Sequence, residues 1–317
     1  MNSNSIFRLY TLINIARSLY TQQKVYQQKV SSSIPETAIL PQEKLLLKRI
    51  PSYAVHIGGY FGEVLCTLYG IKFDKELRLR FARFAACTPL FDGLFDDLKG
   101  EPGHLKTLFD ESQNKSPKNT IEEVFIKLSS PLSPVMRSNP FFNEMLEKMF
   151  EAQKRSLQQK SQTSSIEEIK NITFEKGGTG ALLFLSLLES KPEKALIEAI
   201  YKVGAWVQVC DDVFDIERDR QEGIRTLPMI WNNPKIIKSN IILLQQQSFN
   251  AIMQTQFSLL NKIKTVRLLN IYAQMMHIFI HKIIHQNKHL EKENYPSPIE
   301  VPDFRMNIKV ILSLLFR

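Results

Sequence analysis

The sequence has few cysteines and no long apolar run, and both absences narrow the classes of protein it could represent. Its three cysteines, Cys66, Cys87 and Cys210, lie singly in apolar surroundings without paired spacing. They therefore suggest neither a disulfide framework nor a zinc motif, and they favour a reducing, cytoplasmic compartment. No apolar stretch approaches the roughly 20 residues that a membrane-spanning helix needs. The segment from residue 6 to residue 17 is interrupted by polar residues and does not predict a signal peptide.

The chain is basic, yet it lacks a basic stripe interleaved with aromatic residues. Of its 317 residues, 41 are lysine or arginine and 32 are aspartate or glutamate, which gives a formal net charge of +9. Without such a stripe, nucleic-acid binding is not expected. The excess charge is either a compositional bias spread over the surface or a means of attracting anions. The anion would be a substrate or, through peripheral contact, a membrane surface.

Alternating strand patterns are also missing. From about residue 41 onward, apolar residues recur with a spacing of three to four, which is typical of helices. Breaks at proline, glycine and serine clusters leave about eight to eleven helices. The pattern predicts a single all-α domain over residues 41–317, and a large helical bundle commonly holds its ligand in a cavity between helices. Residues 1–40 are predicted to form a partly flexible N-terminal appendage.

Three aspartates, Asp211, Asp215 and Asp219, follow one another at intervals of four residues. On a helix this spacing places them on one face, where like charges repel and lower helix stability. A divalent cation removes that repulsion, because Mg²⁺ prefers oxygen ligands and commonly takes one or two carboxylates plus substrate phosphate. Since the neighbouring residues are apolar, the pattern predicts the acidic wall of a metal-lined cavity.

A second acidic pair, Asp92 and Asp96, also shares one helical face. We expect the two acidic faces to oppose each other across one cavity and to bind two or three Mg²⁺ ions around a diphosphate. Metal ions in such a site neutralise and orient the leaving group. An exposed acidic turn is the alternative for this pair taken alone.

These motifs resemble those of the class I isoprenoid synthases, which include trans-prenyl diphosphate synthases, squalene and phytoene synthases, and class I terpene cyclases. The residues that match the second aspartate-rich motif of that superfamily are Gly204, Gln208, Asp211, Asp212, Asp215 and Asp219. Asp92 and Asp96 resemble the first motif. Residues 152–157 and 176–182 are similar to two further landmarks, and the resemblance covers about residues 41–290.

The resemblance implies an antiparallel helical bundle that encloses an apolar cavity, three Mg²⁺ ions with Mn²⁺ as a substitute, and a prenyl diphosphate that loses its diphosphate to form a carbocation. It implies a homodimer as the common oligomeric state. The metal ligands that it implies are Asp92, Asp96, Asp211, Asp215 and Asp219. The implied catalytic residues are Lys176 and four of these ligands, namely Asp92, Asp96, Asp211 and Asp215.

The substrate contacts fall into two groups. The residues expected near the diphosphate are Lys176, Gln208, Asp212 and Arg225. Gly177 and Gly178 are expected to break their helix and to free backbone groups toward the cavity. About one helical turn below Asp92 lie Cys87 and Thr88, which are small, with Phe84 as the expected floor of a pocket for a C15 or C20 chain.

Departures from the family pattern favour one branch. No arginine follows Asp96 closely, and no basic residues follow the glycine pair Gly58–Gly59, so a second diphosphate substrate has no evident site. Gly93 stands where chain-elongating synthases carry a second aspartate. We therefore expect a terpene cyclase, with a squalene- or phytoene-type condensing enzyme as the alternative. A non-catalytic synthase subunit is the second alternative.

Histidines recur every four residues late in the chain, at His277, His281, His285 and His289. Two histidines at this spacing can bind zinc. Four of them drift around a helix by about 40° per step, which favours a solvated stripe or a cavity rim. A helical zinc protein that uses this stripe is a further hypothesis.

Overall fold

The structure is a computed structural model in which residues 3–35, 40–96, 104, 108, 117–161 and 163–286 are described. Within these residues all regular secondary structure is helical and no strand occurs. The predicted all-α class is therefore confirmed.

The α-helices of the described residues are, in chain order, α1 (Ser3–Lys29), α2 (Pro41–Ser52), α3 (Gly58–Tyr69), α4 (Lys75–Asp96), α5 (Thr120–Ser129), α6 (Ser133–Arg137), α7 (Pro140–Ser156), α8 (Ile166–Ser186), α9 (Lys194–Phe214), α10 (Ile216–Gln221), α11 (Leu227–Trp231), α12 (Pro234–Gln254) and α13 (Leu259–Gln286). A π-helical turn over Tyr53–Ile57 continues α2 into α3. Short 3₁₀ turns follow α1, α5 and α7.

Several helix ends follow from local sequence. Asn119 caps α5 by accepting a hydrogen bond from the Glu122 N–H at 2.9 Å. Asn233 caps α12 in the same way, and Pro234 occupies its first turn, where a missing N–H costs nothing. Gly70 ends α3 with a φ of 69°, a backbone conformation that glycine adopts without strain.

The chain forms two compact units. Unit 1 comprises Met1–Phe150 and Phe184–Ser190, and unit 2 comprises Glu151–Leu183 and Lys191–Arg317. The acidic pair of α4 belongs to unit 1, whereas the acids that follow residue 210 belong to unit 2. The single domain predicted for residues 41–317 stays a prediction.

Helix α4 is central to unit 1 and contacts α1, α2, α3 and α5. Its core side chains include Phe81 and Leu90, which are fully buried. Pro89 lies inside this helix and lacks the N–H that would reach the Ala85 carbonyl oxygen. The Thr88 hydroxyl donates to that oxygen instead, at 2.8 Å, so the helix continues toward its acidic end.

The N-terminal helix α1 contributes to the core of unit 1. Gln22 is fully buried, and its Nε2 donates to the carbonyl oxygens of Ala54 at 3.2 Å and Arg78 at 3.0 Å. The Arg78 Nη1 in turn donates to the Ser18 carbonyl oxygen at 3.1 Å. Much of α1 is therefore held by buried polar and apolar contacts. The partly flexible appendage predicted for residues 1–40 stays a prediction.

In unit 2, α9 packs along α12 and also contacts α13. Trp206 of α9 is fully buried, and its ring packs edge-on against Phe249 at 6.0 Å and Tyr272 at 5.4 Å. The Ser248 hydroxyl donates to the Lys202 carbonyl oxygen at 3.0 Å, which fixes α12 against α9. The second half of α9 therefore has a rigid support.

No helix in the described part of the chain is long and apolar enough to cross a membrane.

Candidate functional site

The acids of unit 2 follow the end of α9. The helix ends at Phe214, and Asp215 interrupts its regular geometry with φ −89° and ψ 1° before α10 begins. Helical backbone hydrogen bonds nevertheless continue through the break. The Asp215 N–H donates to the Asp211 backbone carbonyl oxygen at 3.1 Å, and the Asp219 N–H donates to the Asp215 backbone carbonyl oxygen at 2.8 Å. The four-residue spacing thus follows one helical path, although that path contains an irregular residue.

The acidic cluster, Asp211, Asp212, Asp215 and Asp219, contains two members that solvent reaches and two that are buried. Asp211 is exposed and Asp215 is half-buried. Asp212 and Asp219 are 8% and 5% exposed. The cluster therefore has an open side and a buried side.

Asp212 is only partly satisfied by hydrogen bonds. Its Oδ1 accepts from Gln208 Nε2 at 2.9 Å. Its Oδ2 is buried and has no hydrogen-bond partner among the described residues. Buried polar atoms in native proteins are nearly always paired, and Oδ2 shares its lack of a partner with a few other buried atoms of the described residues, such as Trp206 Nε1.

Burial raises the pKa of both inner aspartates. The pKa of Asp212 rises to about 7, against the opposing effect of the Gln208 hydrogen bond, and the charges of Asp211 and Asp219 raise it further. Burial likewise raises the pKa of Asp219 to about 7, although the Arg218 charge lowers it. Desolvated carboxyl groups that repel each other are typical of sites that bind a cation or move a proton.

Lys176 brings a positive charge to the cluster from α8. Its charge lowers the pKa of Asp212, which places its ammonium group within electrostatic range of that carboxyl. Lys176 is half-buried. Lys176 therefore acts electrostatically on the carboxyl that Gln208 contacts, and the predicted roles of these residues stay predictions.

Two glycines allow α8 and α9 to approach closely at this point. A Cβ at Gly177 would overlap the Gly204 carbonyl oxygen and the Gln208 Cβ, and a Cβ at Gly204 would overlap the Gly177 carbonyl oxygen. Gly178 in the same way makes room for the Tyr201 ring. The contact sets Lys176 beside the second half of α9.

The predicted helix break at Gly177 and Gly178 is wrong. Helix α8 runs without interruption from Ile166 to Ser186. Glycine weakens a helix through backbone freedom, but here the packing against α9 compensates for that cost, and only a residue without a side chain fits. The two glycines therefore free no backbone groups for a ligand. Gly204 was recognisable in the sequence as a member of the second aspartate-rich motif, one helical turn before Gln208.

Two arginines of unit 2 have clear partners. Arg218 Nη2 lies 2.6 Å from Asp215 Oδ2 and 3.7 Å from Asp219 Oδ1, inside the acidic cluster. Arg225 Nη1 donates to the Ser164 carbonyl oxygen at 2.8 Å. The sequence singled out Arg225 as the diphosphate contact, whereas the structure places Arg218 among the acids. The role predicted for Arg225 stays a prediction.

The acidic pair of unit 1 lies at the end of α4. Asp92 is half-buried, and the side chain of Asp96 lies outside the described part of the structure. Between them, a Cβ at Gly93 would overlap the Leu46 side chain of α2. Leu46 is 1% exposed, so it has little room to move. An aspartate at position 93 therefore does not fit this packing, and Gly93 has a structural reason.

The residues below Asp92 have individual surroundings. Cys87 is 4% exposed in the apolar core, where burial raises the pKa of its thiol. Phe84 packs edge-on against Phe184 at 5.0 Å and Phe142 at 6.2 Å. Thr88 is half-buried, and its hydroxyl donates to the Ala85 carbonyl oxygen. Their predicted place in a substrate pocket stays a prediction.

The histidine stripe is only partly described. His277 on α13 is half-buried, with no hydrogen-bond partner for its Nε2 among the described residues, and burial lowers its pKa. The side chains of His281 and His285, and all of His289, lie outside the described part of the structure. The zinc hypothesis for this stripe stays untested.

The donor set of the acidic cluster suits a metal held jointly with a ligand. In the parts of the chain that the structure describes, no three histidine, cysteine, aspartate or glutamate side chains converge to hold an ion by themselves. Mg²⁺ commonly takes only one or two carboxylates and completes its shell with water and phosphate. The orphan Oδ2 of Asp212 and the carboxylates beside it fit that mode of binding.

A scan of the sequence against models of known protein families finds no match, and a search of curated proteins finds no match either.

Proposed function

We propose that the chain is a Mg²⁺-dependent class I isoprenoid synthase that ionises a prenyl diphosphate, with terpene cyclisation as its reaction. One observation carries the proposal: the Gly177–Gly204 contact brings Lys176 to an acidic cluster in which Asp212 has an unsatisfied buried oxygen. Carboxylates and a lysine around a half-open site are suited to a ligand that is anionic and carries divalent metal.

Each residue has a role in this proposal. Asp211 and Asp215, at the open side, would hold Mg²⁺ together with Asp219. Lys176 would bind the diphosphate, while Gln208 orients the Asp212 carboxyl through its 2.9 Å hydrogen bond. Asp92 and Asp96 stay the predicted metal ligands of the first motif, as the resemblance implies. The bound ions supply electrostatic stabilisation of the departing diphosphate.

The branch of the superfamily is argued from the reduced first motif. Because Leu46 fills the space beside Gly93, this position cannot carry the second aspartate of chain-elongating synthases. The same reduced form resembles the squalene and phytoene synthases, so condensation of two prenyl diphosphates is the alternative outcome of the test. An apolar cavity within an antiparallel bundle, sized for a C15 or C20 chain, is part of the proposal.

The first experiment measures release of inorganic diphosphate in the presence of Mg²⁺. C10, C15, C20 and C25 prenyl diphosphates are supplied singly, with and without isopentenyl diphosphate, and the organic extract is analysed by mass spectrometry. A cyclic hydrocarbon or alcohol from one substrate supports the cyclase, and a doubled-chain hydrocarbon supports the condensing enzyme. Release that requires isopentenyl diphosphate would contradict the reasoning from the missing arginines.

Variants of α9 link any activity to the site. Asp211→Asn should abolish release, since it removes an acid from the open side of the cluster. Glu198→Gln is the matched control, because Glu198 lies on the same helix and pairs with Lys202 at an exposed position. Wild-type turnover in Asp211→Asn would refute the assignment. No release from any substrate would favour a non-catalytic subunit.

A further inference from the structure

Arg218 occupies an unusual position inside the acidic cluster. A single guanidinium nitrogen, Nη2, lies 2.6 Å from Asp215 Oδ2 and 3.7 Å from Asp219 Oδ1. One cationic nitrogen thus faces two of the carboxylates that the proposed function gives to the metal.

This arrangement differs from the ordinary ion pairs on helix surfaces. Pairs between residues three or four apart are common and weak when both partners are solvated. Here the Asp219 side chain is 7% exposed, whereas that of Arg218 is 47% exposed. The guanidinium therefore reaches from the surface to a buried carboxyl, and solvent can still reach the arginine itself.

A residue in the same short helix provides a comparison. Arg220 Nη1 pairs with Glu217 Oε2 at 3.1 Å, and Glu217 is not part of the acidic cluster. Arg218 and Arg220 have the same charge and belong to the same helix, α10, and the ion pairs described join Arg218 to Asp215 and Asp219 and Arg220 to Glu217. The two arginines can be exchanged for neutral residues one at a time.

The position of Arg218 has a consequence for metal binding. A divalent cation and this guanidinium need the same carboxylate oxygens, so each weakens the binding of the other. An arginine that leaves the acids needs another anionic partner, and a diphosphate is a suitable one because guanidinium binds phosphate through paired hydrogen bonds. Binding of metal and of diphosphate then becomes mutually favourable.

We propose that Arg218 is the built-in counter-cation of the cluster: it holds Asp215 and Asp219 in the metal-free protein and moves to the diphosphate when divalent ions bind. This inference rests on the proposed function for the identity of the anion. It makes Arg218 a switch that disfavours loading of the metal alone and favours loading of metal together with substrate.

The test measures binding and needs no turnover. Mn²⁺ binding to the full chain is followed by electron paramagnetic resonance, without any diphosphate, for the wild type, Arg218→Gln, Arg218→Lys and Arg220→Gln. Removal of one charge about 4 Å from a divalent ion in a water-like medium should tighten Mn²⁺ binding by about thirtyfold in Arg218→Gln. Arg218→Lys, which keeps the charge, and Arg220→Gln should stay near the wild type.

A second titration distinguishes a switch from a simple competitor. With Mn²⁺ held at saturation, inorganic pyrophosphate should bind about tenfold more weakly to Arg218→Gln than to the wild type, because a charged hydrogen bond is lost. Arg220→Gln should not change this affinity. Circular dichroism of each variant verifies that helicity is unchanged.

The outcomes separate this inference from the proposed function. Equal Mn²⁺ affinity in Arg218→Gln and the wild type, or the same gain in Arg220→Gln, would overturn the role of Arg218 while the synthase proposal stands. Tighter Mn²⁺ binding without weaker pyrophosphate binding would overturn the switch. Absence of Mn²⁺ binding in every variant, both with and without pyrophosphate, would overturn both.

Discussion

Asp212→Asn should stabilise the metal-free protein at pH 8 and should leave its stability nearly unchanged at pH 5. The sign follows from the raised pKa. Burial moves the pKa of Asp212 from 3.8 to about 7, so the folded chain binds this proton more tightly than the unfolded chain does. The resulting stability is fully present below pH 3.8, and it is lost as the pH rises toward 7.

The magnitude can be worked from the same carboxyl. A rise of the pKa from 3.8 to about 7 corresponds to about 4 kcal/mol of folding free energy lost on full ionisation. Asparagine avoids that loss and still offers an oxygen to Gln208, whose Nε2 lies 2.9 Å from Oδ1. Its amide group then stands where Oδ2 has no partner, which costs about 1–3 kcal/mol. The net gain at pH 8 is therefore about 1–3 kcal/mol.

Urea unfolding in the presence of a chelator measures the effect at pH 5, 6, 7 and 8. The quantity of interest is the difference between variant and wild type, since other groups titrate in both. Glu198→Gln, an exposed acid on the same helix, is the control and should show no rise between pH 5 and pH 8. If Asp212→Asn is destabilised equally at pH 5 and pH 8, the carboxyl is not a buried and unsatisfied group, and the reasoning fails.

Three further changes test the packing. Gly177→Ala should lower the free energy of unfolding by about 1–3 kcal/mol through overlap with Gly204, and the double variant with Gly204→Ala should lose less than the sum of the two; additive losses in urea unfolding would contradict the contact. Gly93→Asp should cost about 3 kcal/mol or more against Leu46, measured by thermal unfolding, and a neutral result would remove the structural reason for this glycine. Gln22→Leu should cost about 1–3 kcal/mol in the same assay, because two buried carbonyl groups lose their donor, and an unchanged midpoint would show that α1 is dispensable to unit 1.

The helical class was predictable, because a three-to-four-residue apolar period is legible over long segments such as α4, α9 and α12. The number of helices was harder to predict. Helices α6, α10 and α11 have five or six residues each, which is too short for a period to show. Asp215 interrupts the acidic stretch with irregular backbone angles, although its spacing is that of a regular helix.

A common site for Lys176, Gln208 and Asp212 was predicted from a resemblance. The close contact between α8 and α9 that brings α8 to this site was not predicted. The glycines of α8 suggested a break when considered alone, since glycine permits many backbone conformations. Their use as a contact surface depends on Gly204, which is remote in sequence. The contacts of Arg218 with Asp215 and Asp219 could not be predicted for a related reason: they depend on side-chain directions around an irregular residue, and spacing alone does not give these.

Two other buried acids in this chain, Glu43 and Glu122, have carboxylates that accept hydrogen bonds from backbone N–H groups. Glu43 is 2% exposed and accepts hydrogen bonds from the N–H groups of Thr120 at 3.2 Å and Leu40 at 3.1 Å. Glu122 is 3% exposed and accepts from the Lys118 N–H at 2.8 Å.

Asp212 is buried to a similar degree, but one of its oxygens has no partner among the described residues, and burial together with the neighbouring acids raises its pKa. The fold supplies backbone donors to the carboxylates of Glu43 and Glu122. The proposed function accounts for this difference, because a ligand that carries divalent metal would supply Asp212 Oδ2 with a partner.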